Sequence, residues 1–182
     1  MLNKKINAIP MTEFLDVDEQ MIPYCGTRGP RYYIKNKPNP WGFKNWALAD
    51  TYGMIYNVDI CVGATKQQDG HPDIGATGNI VLQLCKIIPI HLDYKVVMDN
   101  YFSGVPLYYE LLKRGTHCFG TVKLNRVPGI SSVILPDNEL IARGKSSFVE
   151  YEGTMKDAEG NVPANDTQHI RVIRWYDKSV SI

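Results

Sequence analysis

The sequence predicts a mixed α/β fold, and two patterns in it carry that prediction. Segments in which apolar and polar residues alternate come first, and two segments with helical spacing of apolar residues then flank a short apolar run. Strands followed by a strand–helix–strand unit are typical of a mixed sheet with flanking helices. The chain has 182 residues, of which 44% are hydrophobic and 21% charged, and this composition excludes collagen, coiled coils and wholesale disorder.

The first third of the chain is predicted to be extended. Residues 14–22 begin with period-two alternation, and residues 41–50 and 54–62 are predicted to be the two strands of a hairpin around a turn at 51–53. Residues 31–37 are aromatic and β-branched and end at a proline, which indicates a shorter extended segment. Antiparallel strands therefore come first.

The middle of the chain is predicted to hold two helices around a buried strand. Apolar spacing predicts a helix over 78–88, stopped by Pro89, and the apolar run 94–98 is typical of a strand buried on both faces. A right-handed crossover would place that strand parallel to the first one and beside it.

A second helix is predicted over residues 103–114, followed by a short strand at 117–123. Ser103 is its expected N-cap, Pro106 lies in its first turn and Gly115 ends it. The strand at 117–123 completes the predicted strand–helix–strand unit.

The character of the chain changes after residue 129. Residues 130–168 are polar and rich in turn formers, residues 169–176 are predicted to be a strand, and residues 179–182 begin another alternating run at which the sequence stops. Because an unpaired strand rarely ends a domain, we expect this chain to be a fragment or a truncated relative of a longer protein.

Two aspartates stand where two predicted strands meet. Asp18 follows the start of the first strand and Asp99 follows the apolar run, so parallel neighbours would bring both carboxylates to one edge of the sheet. Paired carboxylates suit Mg²⁺ or Mn²⁺. An aspartate after a strand is also a common turn former or helix cap. Four other acidic residues compete for the same role: Asp16, Glu19, Asp50 and Asp93.

The formal net charge of +1 argues against a nucleic-acid partner only when the chain is taken whole. Residues 21–49 and 111–136 contain basic residues and no acidic ones. They predict either a DNA-contacting surface or a solvated sheet face, with the tryptophans in the core. The predicted DNA contacts are Arg28, Arg31, Lys35, Lys37, Lys44, Lys123 and Arg126.

Several protein classes are disfavoured by what the sequence lacks. The four cysteines are isolated and form no CxxC pair, so we expect no zinc in this chain. We find no apolar stretch long enough to span a membrane and no signal peptide, so no membrane partner is expected and an intracellular location is predicted.

Nine short motifs, in a fixed order, resemble one protein family. The chain is similar to the transposase domain of the piggyBac family, including the piggyBac transposable element-derived proteins, from about residue 12 onward. The motifs are DEQM at 18–21, NKP at 36–38, WGFK at 41–44, DNYF at 99–102, LLKRG at 111–115, GTV at 120–122, NRVPG at 125–129, RGK at 143–145 and RWYD at 174–177.

The resemblance implies a ribonuclease-H-like mixed sheet with flanking helices, interrupted by a β-rich insertion. Residues 1–125 would be the first part of that catalytic core and residues 126–182 the truncated insertion. Asp18 and Asp99 would be the first two catalytic, metal-binding aspartates of a DDE/D enzyme that uses Mg²⁺ or Mn²⁺. The third catalytic carboxylate would lie beyond the insertion, so this chain contains none; Asp177 matches a non-catalytic position.

The resemblance also implies an activity and its partners. Family members cleave double-stranded DNA at transposon ends and join the freed end to TTAA targets in the nucleus. The expected full-length protein is a homodimer. The alternative is a domesticated or decayed module that binds DNA or protein without catalysis, and we expect the 182 residues alone to be inactive.

Overall fold

The computed structural model describes residues 6, 9–24, 26, 31–35, 38–61, 70–127, 146–154 and 167–175. The chain divides into two compact units, Met1–Val122 and Lys123–Ile182. Within the described part, no helix has the length and apolar character needed to cross a membrane.

The described elements of the first unit are a mixed sheet and two helices that pack on it. Most predicted elements are present with shifted ends. In chain order they are β1 (Phe14–Pro23), β2 (Tyr32–Tyr33), β3 (Trp41–Asp50), β4 (Ile55–Ile60), α1 (Ala76–Cys85), β5 (Lys95–Met98), α2 (Val105–Lys113) and β6 (His117–Gly120).

The sheet combines an antiparallel half with a parallel half. β3 pairs antiparallel with β1 along one edge, and β2 and β4 pair antiparallel with its other edge. β1, β5 and β6 run parallel, in that order across the sheet. The prediction that the apolar run 94–98 lies parallel to the first strand and beside it is therefore confirmed.

Alternation along β1 divides the sheet into two faces. Leu15 and Val17 are buried, whereas the alternate residues Phe14, Asp16 and Asp18 are exposed, because successive side chains of a strand point to opposite faces. The buried set continues across the sheet and packs with both helices in one core, and we call this side the helix face. Its strand members include Leu15, Val17, Trp46, Leu48, Val96 and Met98.

The opposite side of the sheet carries the acidic residues and is here called the carboxylate face. Asp16 and Asp18 of β1 belong to it, as do Ala47 of β3 and Val97 of β5, which are their register partners. The prediction that β5 is buried on both faces is wrong, because Val96 and Met98 are buried while Lys95 and Val97 are only partly so. A short run of apolar residues indicates that at least one face of a strand is buried, but it does not show whether the other face is buried too.

Both helices are shorter than predicted. α1 ends at Cys85, three residues before the predicted end. Pro89 lacks the N–H that would bond the carbonyl of Cys85 in a longer helix, and it restricts Ile88 as well. The amide of Ile88 instead closes a tight turn on the carbonyl oxygen of Cys85 at 3.0 Å.

The start of α2 corrects the predicted cap. Gly104 is the N-cap and Pro106 lies in the first turn, so Ser103 precedes the N-cap by one residue. The hydroxyl of Ser103 donates to the main-chain carbonyl oxygen of Asp99 at 2.9 Å and lies 3.1 Å from the Tyr108 hydroxyl. Ser103 therefore holds the turn that follows β5.

The second unit contains a short 3₁₀ turn (Leu124–Arg126) and an antiparallel hairpin of β7 (Ser146–Thr154) and β8 (Thr167–Trp175). The predicted strand over 169–176 corresponds to β8. β7 lies in the stretch described only as polar, where its alternation is short and interrupted by glutamates. The predicted run at 179–182 lies outside the described residues, and the assignment of 126–182 as an insertion stays a prediction.

Candidate functional site

Asp18 and Asp99 lie next to each other where the parallel pairing of β1 with β5 ends. Val17 of β1 is the register partner of Met98 of β5, Asp18 is the next residue of β1, and Asp99 is the first residue after β5. Both are exposed. Because the parallel register places Val17 opposite Met98, the residues that follow them come close together although they are far apart in the sequence.

One oxygen of each carboxylate is held by the backbone. Oδ1 of Asp18 accepts a hydrogen bond from the N–H of Glu19 at 2.7 Å, and Oδ1 of Asp99 accepts one from the N–H of Tyr101 at 2.8 Å. No residue in the described part of the chain donates a hydrogen bond to the second oxygen of either group. Each carboxylate is thus oriented and still offers an oxygen to a ligand.

A third carboxylate, Asp16, shares this region. Partial burial raises the pKa of Asp16 first, and the negative charges of Asp18 and Asp99 raise it further. The negative charges of Asp18 and Asp99 thus act on Asp16 on the same face, and neighbouring like charges favour a neutralising cation. Asp16 was only one of several competing acidic residues in the sequence, and the alternation of β1 places it beside Asp18.

The other acidic candidates have different surroundings. Glu19 belongs to the opposite side of β1 from Asp18. Asp50 accepts hydrogen bonds from the N–H groups of Tyr52 and Met54 and from the Tyr56 hydroxyl, so it supports the β3–β4 turn. Asp93 lies in the loop before β5, and its Oδ1 is 3.3 Å from Nε2 of His117 in β6.

We call Asp18 and Asp99, together with Asp16 beside them, the acidic site. The type of ligand at this site suits a hard divalent cation, but the number of ligands does not complete a coordination shell. Carboxylate oxygens are the ligands that Mg²⁺ and Mn²⁺ prefer. Among the described residues, no group of three or more His, Cys, Asp and Glu side chains is arranged to hold a metal ion. Asp18 and Asp99 therefore offer a partial coordination shell.

An aromatic cluster fastens the turn that carries Asp99 to β3. The rings of Tyr101 and Trp46 stack at 5.6 Å, and Phe102 meets both edge-on at 5.1 and 5.4 Å. The ammonium group of Lys44 lies 4.0 Å from the Trp46 ring centre and 4.9 Å from that of Tyr101. Lys44, predicted to contact DNA, is thus half-buried against the rings of Trp46 and Tyr101.

The other predicted DNA contacts belong to different parts of the chain. Arg31 and Lys35 are exposed next to β2, and the Arg31 guanidinium lies 4.8 Å from the ring centre of Trp41. Arg28 and Lys37 lie outside the described residues. Lys123, which is exposed, and Arg126, which is half-buried, belong to the second unit.

The tryptophans divide between two environments. The prediction that they belong to the core holds for Trp46, which is 3% exposed, and is wrong for Trp41, which is 49% exposed. Trp41 stands at the first position of β3, where the sheet ends. Composition could not separate the two, because only the strand's position decides what covers each ring.

The described cysteines are free thiols. Burial raises the pKa of Cys85 to about 12 and also raises the pKa of Cys118. Neutral thiols are poor metal ligands, because the thiolate is the ligating form. Cys25 lies outside the described residues, so the expected absence of zinc stays a prediction.

Comparison with known proteins identifies the class. A family model described as "Transposase IS4" matches residues 2–182. The human PiggyBac transposable element-derived protein 3 is 29% identical over 185 residues, which cover 98% of this chain and 28% of the relative. The human PiggyBac transposable element-derived protein 2 is 26% identical over 174 residues, covering 94% and 27%.

The fold has a counterpart among solved structures. The cryo-EM structure of the piggyBac transposase synaptic complex with hairpin DNA matches with a TM-score of 0.58 and 23% identity, covering 94% of this chain and 34% of that one. The present protein is therefore a member of a transposase family, and within it belongs to the piggyBac-type transposases. The chain spans about a quarter of the length of the curated relatives it matches.

Proposed function

We propose that this chain forms the first part of a ribonuclease-H-like catalytic domain of the DDE/D class. Asp18 and Asp99 would bind Mg²⁺ or Mn²⁺ as its first two catalytic carboxylates. The observation that carries the proposal is the parallel pairing of β1 with β5, which brings Asp18, within β1, beside Asp99, the residue after β5, as a pair of exposed, backbone-oriented carboxylates.

The residues of the chain have separate parts in this proposal. When bound, the divalent ion would activate an attacking water or 3′ hydroxyl and stabilise the leaving oxygen of a phosphodiester. Asp18 and Asp99 hold the ion, and the stacked rings of Trp46 and Tyr101 fix the turn that presents Asp99. The predicted basic residues bind phosphates: Arg28, Arg31, Lys35, Lys37, Lys44, Lys123 and Arg126.

The partners follow from the family. The substrate we propose is double-stranded DNA, cleaved at transposon ends and joined at TTAA sites by a longer, homodimeric, nuclear protein. The solved structural neighbour is a transposase complex with hairpin DNA, which supports a DNA partner. A third carboxylate would come from outside this chain.

Binding of Mn²⁺ by the 182-residue chain tests the acidic site. We expect Asp18→Asn and Asp99→Asn each to weaken binding by roughly tenfold or more, because each removes one of few charged ligands. Asp93→Asn is the matched control, since Asp93 is an exposed aspartate in a loop and its positive φ of 55° suits asparagine. Equal affinities in all three variants would contradict the proposal.

A second function remains open for a specific reason. A transposase-derived module that binds DNA without catalysis is supported by the exposed Arg31 and Lys35 in the acid-free segment 21–49, which can bind phosphates whether or not a metal ion is held. That alternative predicts DNA binding that neither Mg²⁺ nor Asp18→Asn affects. Strand cleavage by a longer form of the protein, lost in Asp18→Asn and Asp99→Asn, would exclude it.

A further inference from the structure

We propose that Tyr33, Trp41 and Arg31 form a stacking site for an unpaired base of a DNA strand. The inference rests on the proposed function, because it assumes that DNA is the ligand. It goes further by naming the part of the DNA that is recognised. We call these three residues the stacking site.

The two rings of the stacking site lie side by side at the end of the sheet. Tyr33 and Trp41 are register partners in the β2–β3 pair, so their side chains project from the same face. The ring centres are 5.0 Å apart and the planes are inclined at 50°. Tyr33 is 56% exposed and Trp41 49% exposed, so about half of each aromatic side chain is available to a ligand.

The backbone fixes this arrangement. A Cβ atom at Gly42 would lie 2.1 Å from the carbonyl oxygen of Ile22, so β1 and β3 approach each other too closely for any other residue. The N–H of Ile34 donates to the carbonyl oxygen of Pro40 at 2.9 Å and joins the two segments beyond the paired residues. The rings therefore stand on ordered strands.

Arg31 adds positive charge to the aromatic surface. Its guanidinium lies 4.8 Å from the Trp41 ring centre and donates one hydrogen bond of 3.4 Å to the carbonyl oxygen of Gly26. A stacked guanidinium keeps further N–H groups that can bind a phosphate. Lys35 is also exposed nearby, and residues 21–49 contain no Asp or Glu. An exposed aromatic pair in a basic, acid-free segment favours a nucleic acid over a protein ligand.

The stacking site shares a face with the acidic site. Alternation along β3 puts Trp41 on the same side as Ala47, the register partner of Asp18. Six residues of strand separate Trp41 from Ala47, which is roughly 20 Å at about 3.4 Å per residue. A DNA strand advances by about 3.4 Å per nucleotide, so one strand could reach both sites within roughly six nucleotides.

The ligand must be an unpaired base, because pairing and stacking hide the base faces inside a duplex. An overhang, a hairpin tip or a flipped nucleotide exposes a base face that can stack on Trp41 and Tyr33. The neighbouring phosphate would then lie within reach of Arg31. No covalent step is involved.

Fluorescence anisotropy with two labelled DNAs tests the proposal on the complete 182-residue chain. One DNA is a duplex of about 20 base pairs, and the other is the same duplex with an overhang of about six thymines. We expect tighter binding of the overhang DNA, and we expect Trp41→Ala and Tyr33→Ala to weaken that binding by about tenfold while changing duplex binding by less than about twofold. Trp41→Phe should retain most of the preference.

Tyr52→Ala is the matched control, because Tyr52 is an aromatic residue that is 87% exposed at the β3–β4 turn, at the other end of β3. It should leave both affinities unchanged. Arg31→Ala should weaken binding of both DNAs, since the phosphate contact does not depend on pairing.

Tryptophan fluorescence gives a second readout that needs no destabilising variant. In a Trp175→Phe background, the overhang should quench Trp41, because Trp46 is only 3% exposed and Trp175 is absent. Wild-type protein without a preference for the overhang, equal loss of both affinities in Trp41→Ala, or no quenching would each overturn the stacking site. Selective peptide binding without base-dependent quenching would also overturn it.

Failure of this inference can be told apart from failure of the proposed function. If Asp18→Asn and Asp99→Asn leave Mn²⁺ binding unchanged while Trp41→Ala still loses the overhang preference, the metal site fails and the stacking site stands. If Mn²⁺ binding depends on both aspartates and the overhang preference is absent, only the stacking site fails.

Discussion

The two faces of the sheet differ in what covers them and in the chemistry they carry. On the helix face, Leu15, Val17, Leu48 and Val96 are at most 1% exposed and pack in one core with α1 and α2. On the carboxylate face, Asp16, Asp18 and Asp99 are exposed, Val97 is partly buried and Ala47 is buried. The same strands therefore supply stability on one side and a candidate site on the other.

This difference has a physical cause in the period of a strand. Burying apolar area stabilises the fold in proportion to the area removed from water, so one apolar face is enough to attach the sheet to the helices. The second face is then free to hold charges whose mutual repulsion would be costly inside a core. Substitutions of site residues on the carboxylate face should therefore change the free energy of unfolding only slightly.

The largest expected effect comes from two adjacent valines on opposite faces of β5. Val96→Ala should lower the free energy of unfolding by about 2 kcal/mol, because it removes two buried methyl groups and leaves a cavity. Val97→Ala should lower it by less than about 1 kcal/mol, because Val97 is only partly buried. Urea denaturation of both variants measures the contrast, and equal losses would contradict the division into faces.

A smaller, pH-dependent effect is expected at Asp50. Burial alone raises the pKa of Asp50, but hydrogen bonds from Met54, Tyr56 and Tyr52 outweigh it and lower the pKa below the ordinary 3.8. A lowered pKa stabilises the fold above the unfolded-state value, and this stabilisation is lost as the pH falls through the folded-state value. Asp50→Asn should therefore be less stable than the wild type at neutral pH.

Denaturation of the Asp50→Asn variant at several pH values checks this expectation. The difference from the wild type should shrink as the pH falls below 3.8. A difference that stays constant with pH would show that the charge of Asp50 has no part in holding the β3–β4 turn.

The smallest effect, and one of opposite sign, is expected at Asp16. Partial burial, then Asp18 and Asp99, raise the pKa of Asp16. A raised carboxyl pKa destabilises the fold above the folded-state value, and the penalty disappears as the pH falls through the unfolded-state value. Asp16→Asn should thus be slightly more stable than the wild type at neutral pH and equal to it in acid.

Saturating Mn²⁺ sharpens the contrast between Asp16 and Asp50. If the proposed metal site exists, the ion should reduce the advantage of Asp16→Asn, because it neutralises the charges that repel Asp16. The same ion should leave the Asp50→Asn difference unchanged. If the difference in free energy of unfolding between Asp16→Asn and the wild type does not change with Mn²⁺, that result would argue against a cation at the acidic site.

Much of the fold could be predicted from local pattern. The alternation of residues 14–22 and the bounds of 41–50 were sufficient for β1 and β3, and the crossover rule correctly placed β5 beside β1. That pairing also predicted that Asp18 and Asp99 lie together, whereas the choice of these two over the four competing acidic residues rested on the family resemblance. The pattern failed at β7, where alternation over a few polar residues is too short a signal.

Other features depended on contacts that no local pattern records. Serine is a residue type that commonly caps helices, but the hydroxyl of Ser103 donates a hydrogen bond to the carbonyl oxygen of Asp99 instead. The charge of Lys44 predicts a DNA contact, and it does not show that the Lys44 ammonium group lies over the rings of Trp46 and Tyr101. In both cases the partner is supplied by a different part of the fold.

The sequence by itself determined which residues form strands and helices and which residues share a side of each strand, because side-chain period is a local property of the backbone. Only the tertiary structure decided which side the helices cover, and hence that Val97 and Trp41 are partly exposed while Val96 and Trp46 are buried. It also decided that Asp16 joins Asp18 and Asp99. Covering a face takes elements from distant parts of the chain, and strand register aligns residues that sequence order keeps apart.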